Sequence, residues 1–283
     1  MTAPTVRRRQ LGAELRKLRD SKGLFLEDVE RGTGIDSAKL SRLETAKSAA
    51  KLPDIVRLLD FYEFEGDGRE LLLSLAKDGG QRGWWLAYRD RLSPFNWDLV
   101  TLEDGASRIM AYQPSLLHGL LQTSPYARVA IKATRLEDRG TPIESQIEIR
   151  MARQAVLTKP NPPTFWGVIH ESALMIRIDN VAVMRDQLDR LRHMSEMPNV
   201  EIQIMPANSA PHPGLGGAFT ILGFSEQHDL DVVHTEGLLN SIYVEDRAEV
   251  ELYAAAFQKI TAEAMPLDAS LRFITELRDK ISE

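Results

Sequence analysis

The stretch from Leu24 to Glu44 constrains this chain most. Its apolar residues Val29, Ile35, Leu40 and Leu43 are spaced for two short helices broken by a tight turn at Gly34. Asp36 is placed to cap the second helix. That helix then shows small and basic side chains outward, at Ser37, Ala38, Lys39, Ser41 and Arg42. Two helices that pack through apolar positions, the second with a polar and partly cationic outer face, have the layout of a helix-turn-helix. In that layout the second helix enters the major groove of duplex DNA.

The charge distribution has to be read by segment. The chain of 283 residues carries a net charge of −6, which by itself argues against nucleic acid. Residues 1–60, however, hold 13 Lys and Arg against 9 Asp and Glu, a net of +4, which leaves −10 on the remainder. A basic head on an acidic body suits a protein that meets phosphate with one part only. With no cysteine, disulfides, thiolate metal sites and cysteine nucleophiles are excluded. No apolar run approaches the roughly 18 residues of a membrane span, and the basic N-terminus leads into an amphipathic helix instead of a signal segment. A soluble, cytoplasmic, nucleoid-associated protein is expected.

Periodicity predicts an N-terminal all-α bundle of four to five helices over residues 1–77. Helix one is expected near residues 9–22 (Leu11, Leu15, Leu18), helix two from Leu26 to Thr33 and helix three from Ser37 to Ala46. A fourth opens at Pro53, with Ile55, Val56, Leu58, Leu59 and Phe61 on its buried side. Lys77-Asp78-Gly79-Gly80 reads as the linker. Residues 78–283 read as a larger α+β domain with a mostly antiparallel sheet. Helical periodicity is expected at 101–111, 114–133, 141–157, 181–194, 246–264 and 267–281. Strands are expected at 165–170, 200–205, 219–224, 230–236 and 241–244. Val200, Ile202 and Ile204 alternate with Glu201, Gln203 and Met205 as in a half-buried strand.

On the second helix, Ser37, Ala38, Lys39 and Arg42 are the base-reading candidates, and Ser41 can serve a base or a phosphate. Glu44 is expected to face inward or to cap a neighbouring turn, since phosphate would repel its charge. Arg7, Arg8 and Arg9 precede the predicted first helix, as an arm for phosphate or the minor groove or as an unattached basic tail. His170-Glu171 lacks the second histidine of a zinc-protease motif, since Leu174 stands one turn on. Gly214-Leu215-Gly216-Gly217 lacks the spacing of a dinucleotide loop, and no serine lies in a nucleophile elbow. No catalytic residue, metal or cofactor is expected, and the chain is not read as an enzyme. Trp84 and Trp85 either stack a ligand or partner or join the two halves.

Residues 9–62 resemble the Xre/Cro-type helix-turn-helix family, Ser41-Arg42-Leu43-Glu44 matching the end of its recognition helix. The rest resembles the C-terminal domain of actinobacterial WhiJ-like, antitoxin-like transcriptional regulators. Among the stretches that carry this are Gly83-Trp84-Trp85, Gly119 through Ala127, Arg150 through Leu157, His170 through Leu174 and Gly217-Ala218-Phe219-Thr220. The resemblance implies a homodimeric regulator, read as a repressor, on an inverted-repeat operator in double-stranded DNA. It also implies a small co-encoded regulatory protein, or a ligand, felt by the C-terminal domain. Trp84, Trp85, His118, Gln122, Tyr126 and Glu171 are the candidate residues for that contact. The alternative is an antitoxin-like interaction protein that neutralises a small partner. The sequence departs from the pattern at Glu30 (for alanine), Thr33 (leucine), Ala46 (glycine) and His118 (proline). Gly32 also weakens its helix by about 0.8–1 kcal/mol against alanine.

Overall fold

The computed structural model describes residues 4–77, 88, 94–135, 141–224, 230–238 and 240–281. The chain divides into two compact units, 1–86 and 87–283. The first is helical: α1 (Val6–Ser21), α2 (Leu26–Thr33), α3 (Ser37–Glu44), α4 (Leu52–Phe61) and α5 (Asp67–Lys77). Its core is built from Val6, Leu11, Leu15, Val29, Ile35, Leu40, Leu43, Ile55, Leu58 and Leu59, all buried. Helix α1 starts three residues earlier than its leucine spacing suggests. The Thr5 hydroxyl caps it by accepting from the Arg8 N–H, and Val6 is fully buried. Arg7, Arg8 and Arg9 are therefore helical, and Arg9 Nη1 donates to the Pro4 carbonyl at 2.7 Å. They form neither an arm nor a tail.

Gly34 ends α2 in the left-handed conformation, φ 71°, its N–H donating to the Glu30 carbonyl. Helix α3 stops at Glu44 instead of running to Ala46, because Ala46 itself is left-handed at φ 56°. Gly32 is required for packing: a Cβ there would stand 2.1 Å from the Phe61 ring. The weakness it brings to α2 is thus tied to the seating of α4.

The second unit is α+β around one six-stranded mixed sheet of order β3-β2-β1-β4-β5-β6. The strands are β1 (Arg108–Gln113), β2 (Thr164–His170), β3 (Val200–Met205), β4 (Phe219–Gly223), β5 (Val232–Glu236) and β6 (Ser241–Val244). Pairs β1–β2 and β2–β3 are parallel, and the other three are antiparallel, so the sheet is mostly antiparallel. Parallel neighbours need long crossovers. The first holds α7 (Ser124–Thr134) and α8 (Ile143–Arg153), the second the short α9 (Glu171–Leu174) and α10 (Val181–Ser195). Helices α6 (Pro94–Gly105), α11 (Arg247–Glu263) and α12 (Leu267–Lys280) complete the unit.

Strand β1 overturns the helical expectation for 101–111. Helix α6 ends at Gly105, and Arg108–Gln113 becomes a strand with neighbours on both sides. Ile109, Met110, Ala111 and Tyr112 are apolar in succession, so the sequence lacks the polar alternation that would have marked the strand. The 114–133 expectation also shortens, to a 3₁₀ turn at Gly119–Leu121 followed by α7. Strand β3 is buried on both faces instead of one: Gln203 and Met205 lie inside, and Gln203 accepts from Trp166 Nε1 at 2.8 Å. One face of the sheet packs Tyr112, Val168, Phe219, Ile221 and Val233 against Val250, Phe257 and Ile260 of α11. The other faces α10 and α12 at β3, and a buried polar region beside β5.

Candidate nucleic-acid interface

Helix α3 is held from three sides. Inward, Leu40 and Leu43 are buried, and Glu44 receives Arg19 of α1 in a two-point pair, Nε to Oε1 at 2.8 Å and Nη2 to Oε2 at 3.0 Å. The side chains of this pair are only 11% and 5% exposed, so the contact acts as a buried clamp between α1 and α3. Glu44 thus faces inward. Beside it, α1 comes close enough that a Cβ on Gly12 would lie 2.6 Å from the Leu43 carbonyl oxygen.

At its N-terminus α3 is capped twice. Asp36 accepts the Lys39 N–H at 2.9 Å, and Glu30 accepts both the N–H (3.2 Å) and the hydroxyl of Ser37. Two carboxylates there complement the positive end of the helix dipole. This accounts for an acid where the related pattern has alanine: Glu30 is half-buried but satisfied. Thr33 is likewise accommodated, its hydroxyl donating to the Val29 carbonyl (2.7 Å) and accepting from the Ile35 N–H (3.2 Å).

These contacts reduce the set of candidate readers. Ser37 has its hydroxyl engaged by Glu30, and Lys39 Nζ is 2.8 Å from Asp54 of α4. Both predicted readers are occupied within the bundle. Ala38, Arg42 and Thr45 remain exposed at spacings of four and three, with Ser41 half-buried beside them. Among the described residues the Arg42 side chain makes no hydrogen bond or ion pair. Lys47 and Lys51, in the loop after α3, are exposed and equally without side-chain partners among those residues. Thr45, Lys47 and Lys51 were not singled out from sequence, although Thr45 continues the Ala38–Arg42 stripe by one turn. The result is a helix with compensated acids at its start and free cations at its end.

The C-terminal candidates fare differently. Trp84 and Trp85 lie outside the described residues. His118, Gln122 and Tyr126 are buried and structural, which removes them as a partner surface. His118 Nδ1 accepts the Leu120 N–H at 3.3 Å, its ring lies 5.3 Å from that of Phe165, and burial, with Arg153 nearby, pushes its pKa down to about 3. Gln122 donates to the Leu117 carbonyl at 2.7 Å, and the Tyr126 hydroxyl accepts the Leu117 N–H at 3.4 Å. Burial raises the pKa of the Tyr126 phenol. Glu171 accepts the Ala207 N–H at 2.9 Å, and the neighbouring His170 caps α9. Among the described residues, no cluster of three His, Asp or Glu is placed to hold a metal, and no helix is long and apolar enough to cross a membrane.

Comparison with known proteins divides the chain in two. Residues 97–276 match the family model described as "Domain of unknown function (DUF5753)", and residues 10–72 match the one described as "Helix-turn-helix domain". No curated protein and no solved structure matches the chain.

Proposed function

This chain belongs to the DUF5753 family, and on that premise we propose that it is a sequence-specific transcriptional regulator, a homodimeric repressor of the Xre and WhiJ-like kind, acting in the cytoplasm. The helix-turn-helix domain at residues 10–72 is the part that suggests DNA binding. One observation carries the reading furthest: the outer stripe of α3 is exposed and ends in a guanidinium at Arg42 that has no partner among the described residues, while its inner face is clamped by Glu44. A rigid helix of this kind reads base edges with its stripe and phosphates with the cations beside it. In a dimer the two copies of α3 would stand about 34 Å apart on an inverted repeat. A small co-encoded protein or a ligand at the C-terminal unit would alter operator affinity, and no catalytic step is assigned to the chain.

An interaction-only, antitoxin-like role requires a head whose DNA binding is weakened or lost through Glu30 and Thr33. Both side chains are hydrogen-bonded, which favours the DNA-binding reading. Selection of bound fragments from genomic DNA, with and without the neighbouring small protein, tests it. Arg42→Ala should abolish specific binding and lower the salt slope by about 0.9 for each phosphate that Arg42 neutralises in the wild type, with the circular dichroism spectrum unchanged. Unaltered operator affinity in that variant would remove Arg42 from the interface.

A further inference from the structure

Two stretches that DNA binding leaves unused, Gly119–Ala127 and Arg150–Leu157, meet inside the C-terminal unit. The 3₁₀ turn Gly119–Leu121 packs on α8 and on its 3₁₀ continuation, Gln154–Thr158. Three guanidinium groups belong to this region. Arg153 gives Nε and Nη2 to the buried Glu103, at 2.8 and 2.6 Å. Arg150 gives Nη1 to Gln122 Oε1 at 2.9 Å, and Arg190 gives Nη2 to Gln154 Oε1 at 3.2 Å. Both amides are fixed in that orientation. Gln122 donates to the Leu117 carbonyl, and Gln154 to the carbonyls of Gly119 (3.1 Å) and Gln122 (2.6 Å).

The charges do not balance. Among the described residues Arg150 and Arg190 have neutral partners only, so Arg153 alone of the three is ion-paired. Glu236 contributes its field to Arg150 and Arg153 but, among those residues, forms no ion pair with either. Burial and the neighbouring Arg153 pull the pKa of the Arg150 guanidinium down to about 10, as expected of a cation short of counter-charge. Arg150 and Arg153 also border the half-buried Gly119, which has no side chain to cover them. A Cβ on Gly119 would stand 3.7 and 3.8 Å from Arg153 Nη2 and Nη1 and 3.9 Å from Arg150 Cδ, with nothing nearer.

We propose that Arg150 and Arg153, flanked by Arg190, form an oxyanion-binding site over Gly119 that takes a small molecule by its phosphate or carboxylate group. A guanidinium held by a fixed amide keeps its remaining donors in a planar fork, the geometry that oxyanions match. Desolvation of the cation strengthens the attraction. Arg190 and Gln154 complete the frame and do not need to touch the ligand. The site needs no DNA, so it stands or falls apart from the regulator reading.

The test is isothermal titration of the full chain with sodium sulfate, sodium phosphate and sodium acetate, each against sodium chloride of equal ionic strength. Saturable binding of sulfate and phosphate is expected for a phosphate-bearing ligand, and of acetate for a carboxylate-bearing one. Arg150→Gln should weaken that binding by about ten- to a hundredfold, and Arg150→Lys should retain part of it. If Arg150→Gln does not fold, Arg150→Lys decides the matter, and undiminished binding in that folded variant would overturn the proposal. An absence of saturable heat with all three anions in the wild type would overturn the proposal. So would binding that survives undiminished in a folded Arg150→Gln.

Discussion

Replacing Gly12 with alanine sets two physical effects against each other. Helix propensity alone favours the substitution by about 0.8–1 kcal/mol, since Gly12 lies inside α1. The structure opposes it. The new Cβ would stand 2.6 Å from the Leu43 carbonyl oxygen and 2.7 Å from that of Glu44, and both obstacles are backbone. Ordinary contact begins near 3.4 Å, so α1 and α3 must part by about 0.8 Å, a gap that forfeits a quarter to a half of the dispersion energy of the atoms involved. Overpacking of this kind costs about 1–3 kcal/mol, and the separation also stretches the Arg19–Glu44 clamp between the same two helices. The net expectation is a loss of about 1–2 kcal/mol in the helical unit. Hydrogen exchange of α1 and α3 amides reads that unit alone, without the larger domain obscuring the signal. Protection should fall by about five- to thirtyfold, at about 1.4 kcal/mol per decade. Equal or greater protection in Gly12→Ala would refute the reasoning and would mean that the α1–α3 contact is looser than its geometry.

Three further outcomes follow from the same kind of reasoning. Gly32→Ala should destabilise the head despite its better helix propensity, because the Cβ meets the Phe61 ring at 2.1 Å. Adding Phe61→Leu should recover part of the loss, and a double-mutant cycle measures the coupling. Glu44→Ala leaves Arg19 buried without its main partner and should cost about 3 kcal/mol or more in urea unfolding. Acid should weaken the C-terminal unit. His118 and His234 are buried, with pKa values held down to about 3 and about 4, so their contribution is complete above the unfolded value near 6.5 and is lost as pH falls toward the folded ones. At pH 5 the loss is about 2 kcal/mol per histidine, and His234→Gln should flatten thermal stability between pH 7 and 5.

Much of the head was legible in the sequence because its signals are local. Leu26–Thr33 was placed to the residue, and the start of α3 followed from Asp36. The inward turn of Glu44 was one of two readings that repulsion of its charge by phosphate left open, and the pairing with Arg19 selects it. Periodicity failed at β1, where Ile109 through Tyr112 are apolar in succession and set no period in the sequence. It failed also for Arg7–Arg9, since the Thr5 cap and the buried Val6 lie outside the leucine stripe. The interface was half legible. The outward direction of α3 could be read, but the loss of Ser37 to Glu30 and of Lys39 to Asp54 could not.

What the sequence determined by itself is the kind of surface: a short capped helix with apolar residues on one side and small and basic ones on the other. Side-chain direction repeats with the helical turn, so that division needs no knowledge of the rest of the fold. Only the tertiary structure decided which of those polar groups remain available. Ion pairs and buried hydrogen bonds depend on distances between residues far apart in the chain, and a cation matched to an acid on another helix is no longer free for DNA. For the same reason Arg150 and Arg153 beside Gly119, with Arg190 behind Gln154, became recognisable as a group only after α8, α10 and the 3₁₀ turn had been brought together.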